Sequence, residues 1–273
     1  IQSIRPSLYW ENQKYLSILL HYLNMPKDIH PEPLWNQKAL KIKKTLVIAD
    51  LHIGYERELE KKGVHLPSQT EKMVENVIHK LEKNEFNKLI IVGDLKHNIP
   101  QTTWQEYNEI PAAMEQWLKI VDEIHVLKGN HDGNISKYVP SEVIIHDGSG
   151  SVIDGIGFFH GHANPSKDVV ESGLVITAHN HPTVTLVDSL DNKQKEQCWV
   201  RFDYSTEDLE GRGIIIPHYN PLLGGVSINE NEYLGPFLKN EKIYNEKIYL
   251  LDGTYIGKKE NLELNNFQGY SSK

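Results

Sequence analysis

Residues 88–94 read KLIIVGD. An unbroken aliphatic run with no polar alternation is what a strand buried on both faces looks like, and this one stops on a glycine and a carboxylate. Two other segments repeat the pattern. KKTLVIAD (43–50) ends on Asp50, and IHVLKGNHD (124–132) ends on Asn130, His131 and Asp132. Helical sequence separates them. In LPSQTEKMVENVIHKLEKNE (66–85), Met73, Val74, Val77, Ile78 and Leu81 recur at helical spacing, and Ser68 with Glu71 reads as a capping box. A second helix is expected around 103–120, interrupted near Pro111. Strand, helix, strand, helix, strand implies parallel strands joined by crossover helices.

After about residue 140 the rhythm changes. EVIIH, GIGFFHGH, GLVITAHNH, TVTLVD, QCWVRF and RGIIIPHY are short apolar runs separated by Gly, Asp, Asn and Pro. These read as sheet strands with tight connections. The first 40 residues are apolar in patches (Leu8, Tyr9, Trp10, Leu34, Trp35), which reads as a packed lead-in. No linker stands out. The expectation is one domain over 1–273, with a catalytic core at about 41–225, an extension at 226–257 and a flexible tail at 258–273.

The 273 residues are 39% hydrophobic and 24% charged, ordinary for a folded protein. No stretch approaches the ~18 apolar residues of a membrane span. The first thirty residues carry Arg5, Glu11, Lys14 and Lys27 and do not read as a secretory signal. Cys198 is the only cysteine, so no intrachain disulfide can form, which fits a cytoplasmic setting. The net charge of −8 argues against a protein that coats nucleic acid by charge alone, although carboxylates that hold cations would offset part of it.

Each strong apolar run ends in residues that can bind metal: Asp50 and His52, Asp94, the Asn130–Asp132 turn, His160 and His162, then His179 and His181. In open α/β sheets, ligands gather beyond the carboxyl ends of the strands, so five distant segments can converge. Asp, His and Asn without thiolate suit manganese, iron or zinc better than calcium. Two ions ~3.5–4 Å apart clamp and activate a water for attack on phosphorus. The bland alternatives are a polar turn at each GD and a surface histidine at each HxH. GNHD alone occurs by chance about once in ~10⁵ positions, and the ordered set is far rarer.

At these residues the sequence resembles the calcineurin-like metallophosphoesterases. Their motif order is met by D-L-H (50–52), G-D-L-K-H (93–97), G-N-H-D (129–132), H-G-H (160–162) and A-H-N-H (178–181), with Ala178 where the family usually has Gly. ADLHIGYERELEKKGVHLP, GDLKHNIP, RGIIIPHYNPLLGG and LLDGTYIGK resemble the archaeal branch related to SbcD-type repair nucleases, near the bacterial ligase-associated endonucleases. The resemblance implies two central mixed sheets packed as a sandwich and flanked by helices. It implies that Asp50, His52 and His181 bind one ion, Asn130, His160 and His179 the other, and that Asp94 bridges them. The expected metal is manganese, with iron, zinc, nickel or magnesium as alternatives.

His131 is then expected to protonate the leaving oxygen, with Asp132 orienting its imidazole. His97 orients a ligand or meets substrate, and His162 lines the cleft. Arg57 and Lys96 could meet phosphate but read first as solvated surface charges. The other histidines, His218 among them, carry no motif. Three functions compete: a phosphodiesterase acting on DNA, RNA or a nucleotide, a phosphomonoesterase, and a metal-binding scaffold without activity. A basic run (Lys38, Lys41, Lys43, Lys44) and Trp104, Tyr107 and Trp117 would suit a nucleic acid, and related nucleases suggest a homodimer.

Overall fold

The computed structural model describes residues 30–262. The first sheet has six strands in sequence order: β1 (Glu32–Leu34), β2 (Ala39–Ile42), β3 (Thr45–Ile48), β4 (Lys88–Val92), β5 (Glu123–Leu127) and β6 (Ile144–His146). β3, β4 and β5 pair in parallel, as the sequence rhythm requires, and the EVIIH run adds β6 in parallel to β5 rather than joining the later strands. The crossovers carry α1 (Glu56–Lys61), α2 (Thr70–Lys83) and α3 (Trp104–Leu118).

The second sheet is mixed. It contains β7 (Ser151–Ile153), β8 (Ile156–Phe158), β9 (Leu174–Thr177), β10 (Pro182–Val187), β11 (Lys193–Ser205), β12 (Glu210–Ile215), β13 (Val226–Ser227), β14 (Lys242–Leu250) and β15 (Tyr255–Lys258). The long β11 pairs antiparallel with β10, β12 and β14, while β8, β9 and β12 run parallel. Two short helices, α4 (Lys167–Glu171) and α5 (Pro236–Asn240), cover its outer face.

Three apolar layers follow from strand alternation. Leu46, Ile48, Leu89, Ile91, Ile124 and Val126 face α2 and α3, meeting Met73, Val77, Leu81, Met114 and Trp117. Their alternate neighbours Val47, Ile90, Val92 and Leu127 face the second sheet, packing on Phe158, Ile176, Trp199 and Ile214. Val175, Val200, Phe202 and Ile248 point outward under Val169, Phe237 and Leu238. The order is helices, sheet, sheet, helices, the expected sandwich.

Two local expectations need correction. Pro111 does not interrupt α3, which runs unbroken from Trp104 to Leu118. Ile110 on one side of the proline and Met114 and Trp117 on the other are all buried in the same core, which holds both halves in line. No capping box forms at Ser68: α2 starts at Thr70 without a side-chain cap, and the Ser68 hydroxyl donates to Glu109 on α3. The box belongs to α3, where Thr103 and Glu106 cap each other. The region expected as an extension is woven into the second sheet, with β13 on β10 and β14 on β11. Lys258 ends β15, a 3₁₀ turn spans Lys259–Asn261, and the Leu262 carbonyl accepts from Asn229 Nδ2 at 3.0 Å. The rest of the expected tail, and the lead-in residues Leu8, Tyr9 and Trp10, lie outside the described residues. Of the other lead-in residues, Leu34 packs against the first core and Trp35 is exposed.

Trp117 is wholly buried between α3 and the first sheet. Trp117→Ala should destabilise the fold by about 3–5 kcal/mol, read as a lower urea midpoint at unchanged slope.

Candidate metal centre

Parallel pairing brings the carboxyl ends of β3, β4 and β5 to one edge of the first sheet. Hydrogen bonds then lock the following loops together. Asp50 N–H donates to Gly93 O at 3.1 Å, His52 N–H to Asp94 O at 2.8 Å and Ile53 N–H to Leu95 O at 2.9 Å. In the second sheet, Ala178 N–H after β9 donates to His160 O after β8 at 3.0 Å, linking those two loops in the same way. Ala178 is fully buried and makes this ladder contact with an ordinary alanine backbone, so the family's glycine is not needed there.

Asp50, His52, Asp94, His179 and His181 all have positive φ, between 42° and 66°. Such a conformation costs roughly 1–3 kcal/mol in a non-glycine residue and persists where surrounding contacts over-determine it. Consecutive side chains after a strand end can then turn the same way, which a regular strand forbids. A β-carbon on Gly129 would stand 2.0 Å from Asp94 Oδ1, so the turn after β5 can reach the Asp94 carboxylate only with glycine there.

Three candidate clusters result: Asp50 with His52 and His181, Asp94 with His160 and His179, and His52 with His97 and His131. Asp94 Oδ2 lies 3.4 Å from His52 Nε2 and 3.5 Å from His160 Nε2, which places it between the first two. Asp50 Oδ1 lies 3.0 Å from His160 Nε2 and 3.4 Å from His181 Nε2. Ligand atoms around one cation at ~2.0–2.1 Å stand about 3.0–3.4 Å from each other, so these spacings suit cations of that size. Asp50 Oδ2 and His52 Nε2 are buried without any hydrogen-bond partner. An orphaned buried polar atom costs about 1–3 kcal/mol, and a cation would satisfy both. The donor set therefore fits a pair of divalent ions.

Neighbouring rings set the tautomers. His97 Nε2–H donates to Glu58 Oε2 at 2.6 Å, leaving Nδ1 to accept from His52 Nδ1–H at 3.1 Å. His52 Nε2 is then a bare lone pair directed at the Asp50–Asp94 centre. His97 thus orients His52. His162 stands in the same relation to His160, with their Nδ1 atoms 3.1 Å apart. Asn130 is exposed, but the next residue anchors it to the site: His131 N–H donates to Asp94 Oδ1 at 2.9 Å.

The expected pairing of Asp132 with the His131 imidazole is not formed. Asp132 is wholly buried and its carboxylate accepts from the N–H groups of Leu95, Lys96 and Gly129 at 3.0–3.2 Å. Those backbone donors hold its oxygens between them, so it ties the loop after β4 to the loop after β5. His131 Nδ1 instead bonds the His97 carbonyl. Lys96 is no surface charge: it is 2% exposed and its ammonium turns to the Asn98 carbonyl. Arg57 is half exposed and pairs with Glu60 at 2.7 Å.

Three residues near the site were given no role from the sequence: Glu106, His218 and Asn220. Glu106 is wholly buried and accepts from His97 N–H at 2.9 Å, Asn98 N–H at 2.6 Å and Thr103 N–H at 2.6 Å, which shapes the loop beside the site. His218 lies under His181, ring centroids 5.1 Å apart, and Asn220 Nδ2 donates to Leu51 O at 2.8 Å. The available signal was that HYN follows the run GIIIP, as the other polar groups follow theirs.

Electrostatics separate these groups. Burial pushes His52 well down, His179 and His218 to about 3 and His162 to about 4. All four rest as neutral imidazoles, the form that binds metal. Burial also lifts the Asp94 carboxyl to about 7, a cost that nearby cations would remove. Burial would raise Asp50 as well, but His181 and His160 beside it outweigh that and hold it well below the usual range.

The chain matches the calcineurin-like phosphoesterase family over residues 43–248. It belongs to that family. Its activity class is therefore hydrolysis of phosphoric esters, and the family binds two divalent ions. Among solved structures, the nuclease MPE of Pseudomonas putida shares 18% identity, covering 84% of this chain and 98% of that one, with a TM-score of 0.52. Yfce, a phosphoesterase from E. coli, shares 14% identity over 78% of this chain and 96% of that one, with a TM-score of 0.37. At these identities the likeness is one of fold. No curated protein matches the chain in sequence. Among the described residues, no helix is long and apolar enough to cross a membrane.

His218 supplies a pH dependence whose sign is fixed. Its folded pKa lies below the unfolded value of 6.5, so the stability it contributes is present above pH 6.5 and is lost as pH falls towards 3. In metal-free protein, the drop in urea midpoint between pH 7 and pH 5 should be smaller for His218→Gln than for the parent. An equal or larger drop would show that His218 is not held neutral by the fold.

Proposed function

We propose that this phosphoesterase is a two-metal phosphodiesterase of nuclease type, with nucleic acid as its substrate. The observation that carries the substrate reading is the rim of the site. Trp104 and Tyr107 are 77% and 59% exposed at the start of α3, directly after the loop that carries His97. Tyr107 meets Tyr138 edge to face at 6.1 Å, and Tyr138 closes the segment that follows His131. Exposed rings beside a phosphate-cleaving centre suit stacking of unpaired bases, worth ~1–3 kcal/mol per base. Trp117 has no part in this, being in the core. That the Pseudomonas putida protein of this fold is a nuclease is in keeping with this reading.

Asp50, His52 and His181 would hold one ion and Asn130, His160 and His179 the other, with Asp94 shared by both. When bound, manganese ions supply Lewis-acid charge and a nucleophilic water near neutral pH. The chain's own residues do the rest. His97 and His162 fix the rings of His52 and His160. Asp132 holds the His131 turn against the Asp94 loop. With its Nδ1–H given to the His97 carbonyl, His131 in its imidazolium form delivers the Nε2 proton to the leaving oxygen and is left as the neutral Nδ1–H imidazole. Its backbone N–H, donated to Asp94, fixes the distance between that proton and the metal centre.

With manganese restored to stripped protein, bis-p-nitrophenyl phosphate should be cleaved faster than p-nitrophenyl phosphate. His131→Asn should lower turnover by ~10²–10⁴ while keeping its metal. Monoester cleavage alone would favour a phosphatase, and unchanged turnover in the metal-loaded variant would remove His131 from catalysis. Asp94→Asn should bind fewer than two ions per chain by elemental analysis. Two ions at full occupancy would end its bridging role.

A further inference from the structure

Away from the metal centre, the inner face of the second sheet opens into a cavity of about 410 Å³ beside β1. The sheet register places its cations. Arg201 on β11 stands directly opposite Lys247 on β14 and, on its other side, opposite Ile214 on β12. Arg212, two residues before Ile214, is the diagonal neighbour of Arg201 on the same face. All three cations line the cavity, and none forms an ion pair among the described residues.

Directly opposed like charges on adjacent strands are destabilising, because their β-carbons lie only ~4.5–5.5 Å apart. The carboxylates at hand, two against three cations, offset them only in part. Asp203 lines the cavity and faces Arg212 across the ladder without an ion pair, its Oδ2 accepting from Asn245 Nδ2 at 2.7 Å. Glu32 lines the cavity from the edge of β1 and is itself exposed. The Arg201 guanidinium lies over the Tyr249 ring, 5.5 Å from its centroid, which holds its planar fork in place. Leu174, Ile214 and Tyr249 give the cavity an apolar floor.

We propose that this cavity is a second ligand site that binds a small organic phosphate of mononucleotide size. The phosphate bridges Arg201, Arg212 and Lys247, and the organic body rests on Leu174, Ile214 and Tyr249. The volume lies within the range of ~300–1,000 Å³ usual for small-molecule pockets. Paired arginine forks match phosphate oxygens, and a dianion removes the repulsion between the cations. The site is separate from the metal centre: Arg212 is six residues before His218 on β12 and its continuation, roughly 20 Å of extended chain.

The test uses the full chain, stripped of metal with chelator so that no turnover occurs, and adenosine monophosphate as the probe. Calorimetry should show saturable binding, weakened at least ~10-fold in Arg201→Met and in Arg212→Met, the loss of one charge-assisted contact. Thermal melts should show the nucleotide stabilising the parent but not the variants. Without ligand, Arg201→Met should melt no lower than the parent, since it relieves the Arg201–Lys247 opposition. Manganese-dependent diester cleavage should be unaffected by either substitution, so that failure here and failure of the nuclease reading are told apart. Absence of binding, or binding that survives both substitutions, would overturn the proposal.

Discussion

Parallel pairing of β3, β4 and β5 is the constraint on which the site depends. Parallel strands present their carboxyl ends at one edge, so Asp50, Asp94 and the Asn130–Asp132 turn come together however far apart they are in sequence. The same holds in the second sheet, where β8, β9 and β12 run parallel and deliver His160, His179, His181 and His218. The two sheets stack through Val47, Ile90, Val92, Phe158, Ile176 and Ile214, and that apolar layer holds the two edges in register. Function is thus built into the topology, and the core sets its precision.

The site is assembled at a conformational cost. Five of its candidate ligands occupy left-handed backbone, and the bonds around them show what holds them there. Asp50, His52 and Ile53 donate to the β4 loop, while Tyr219 N–H donates to Ala49 O and Asn220 Nδ2 to Leu51 O. Asp132 closes the third side through three backbone donors. A carboxylate that reads as the partner of a histidine works instead as a clamp between loops, since backbone N–H groups reach it first.

Charge is managed in the same way. Burial, helped by the like-charged neighbours of each group, keeps His52 and His179 neutral and lifts Asp94, which leaves lone pairs and a costly carboxylate around one point. Glu58, His97 and His162 lie behind the ligand rings and fix which nitrogen is bare. On the rim, Glu106 draws the His97 loop against α3 and so sets where the exposed Trp104 begins. On the inner face of the second sheet, by contrast, Arg201 and Lys247 oppose each other with no carboxylate bound to them, the reverse of the acidic balance of the whole chain.

The sequence by itself determined the parallel unit of β3, β4 and β5 with its crossover helices, the short apolar runs that follow it and the residue types at each strand end. These are local properties: alternation, propensity and the chemistry of a side chain are carried by neighbours in the chain. It also named the candidate metal ligands, because ligand type and strand-end position are both linear features. Tertiary structure decided what linear order cannot carry. Pro111 stayed within α3 because cores on both sides of it matched. Asp132 turned from His131 to three backbone donors supplied by two different loops. Lys96 and Glu106 were buried, and His218 was brought beneath His181 from nearly forty residues away. Each of these outcomes depends on which groups compete for the same partner in space, and that competition exists only once the sheets have stacked.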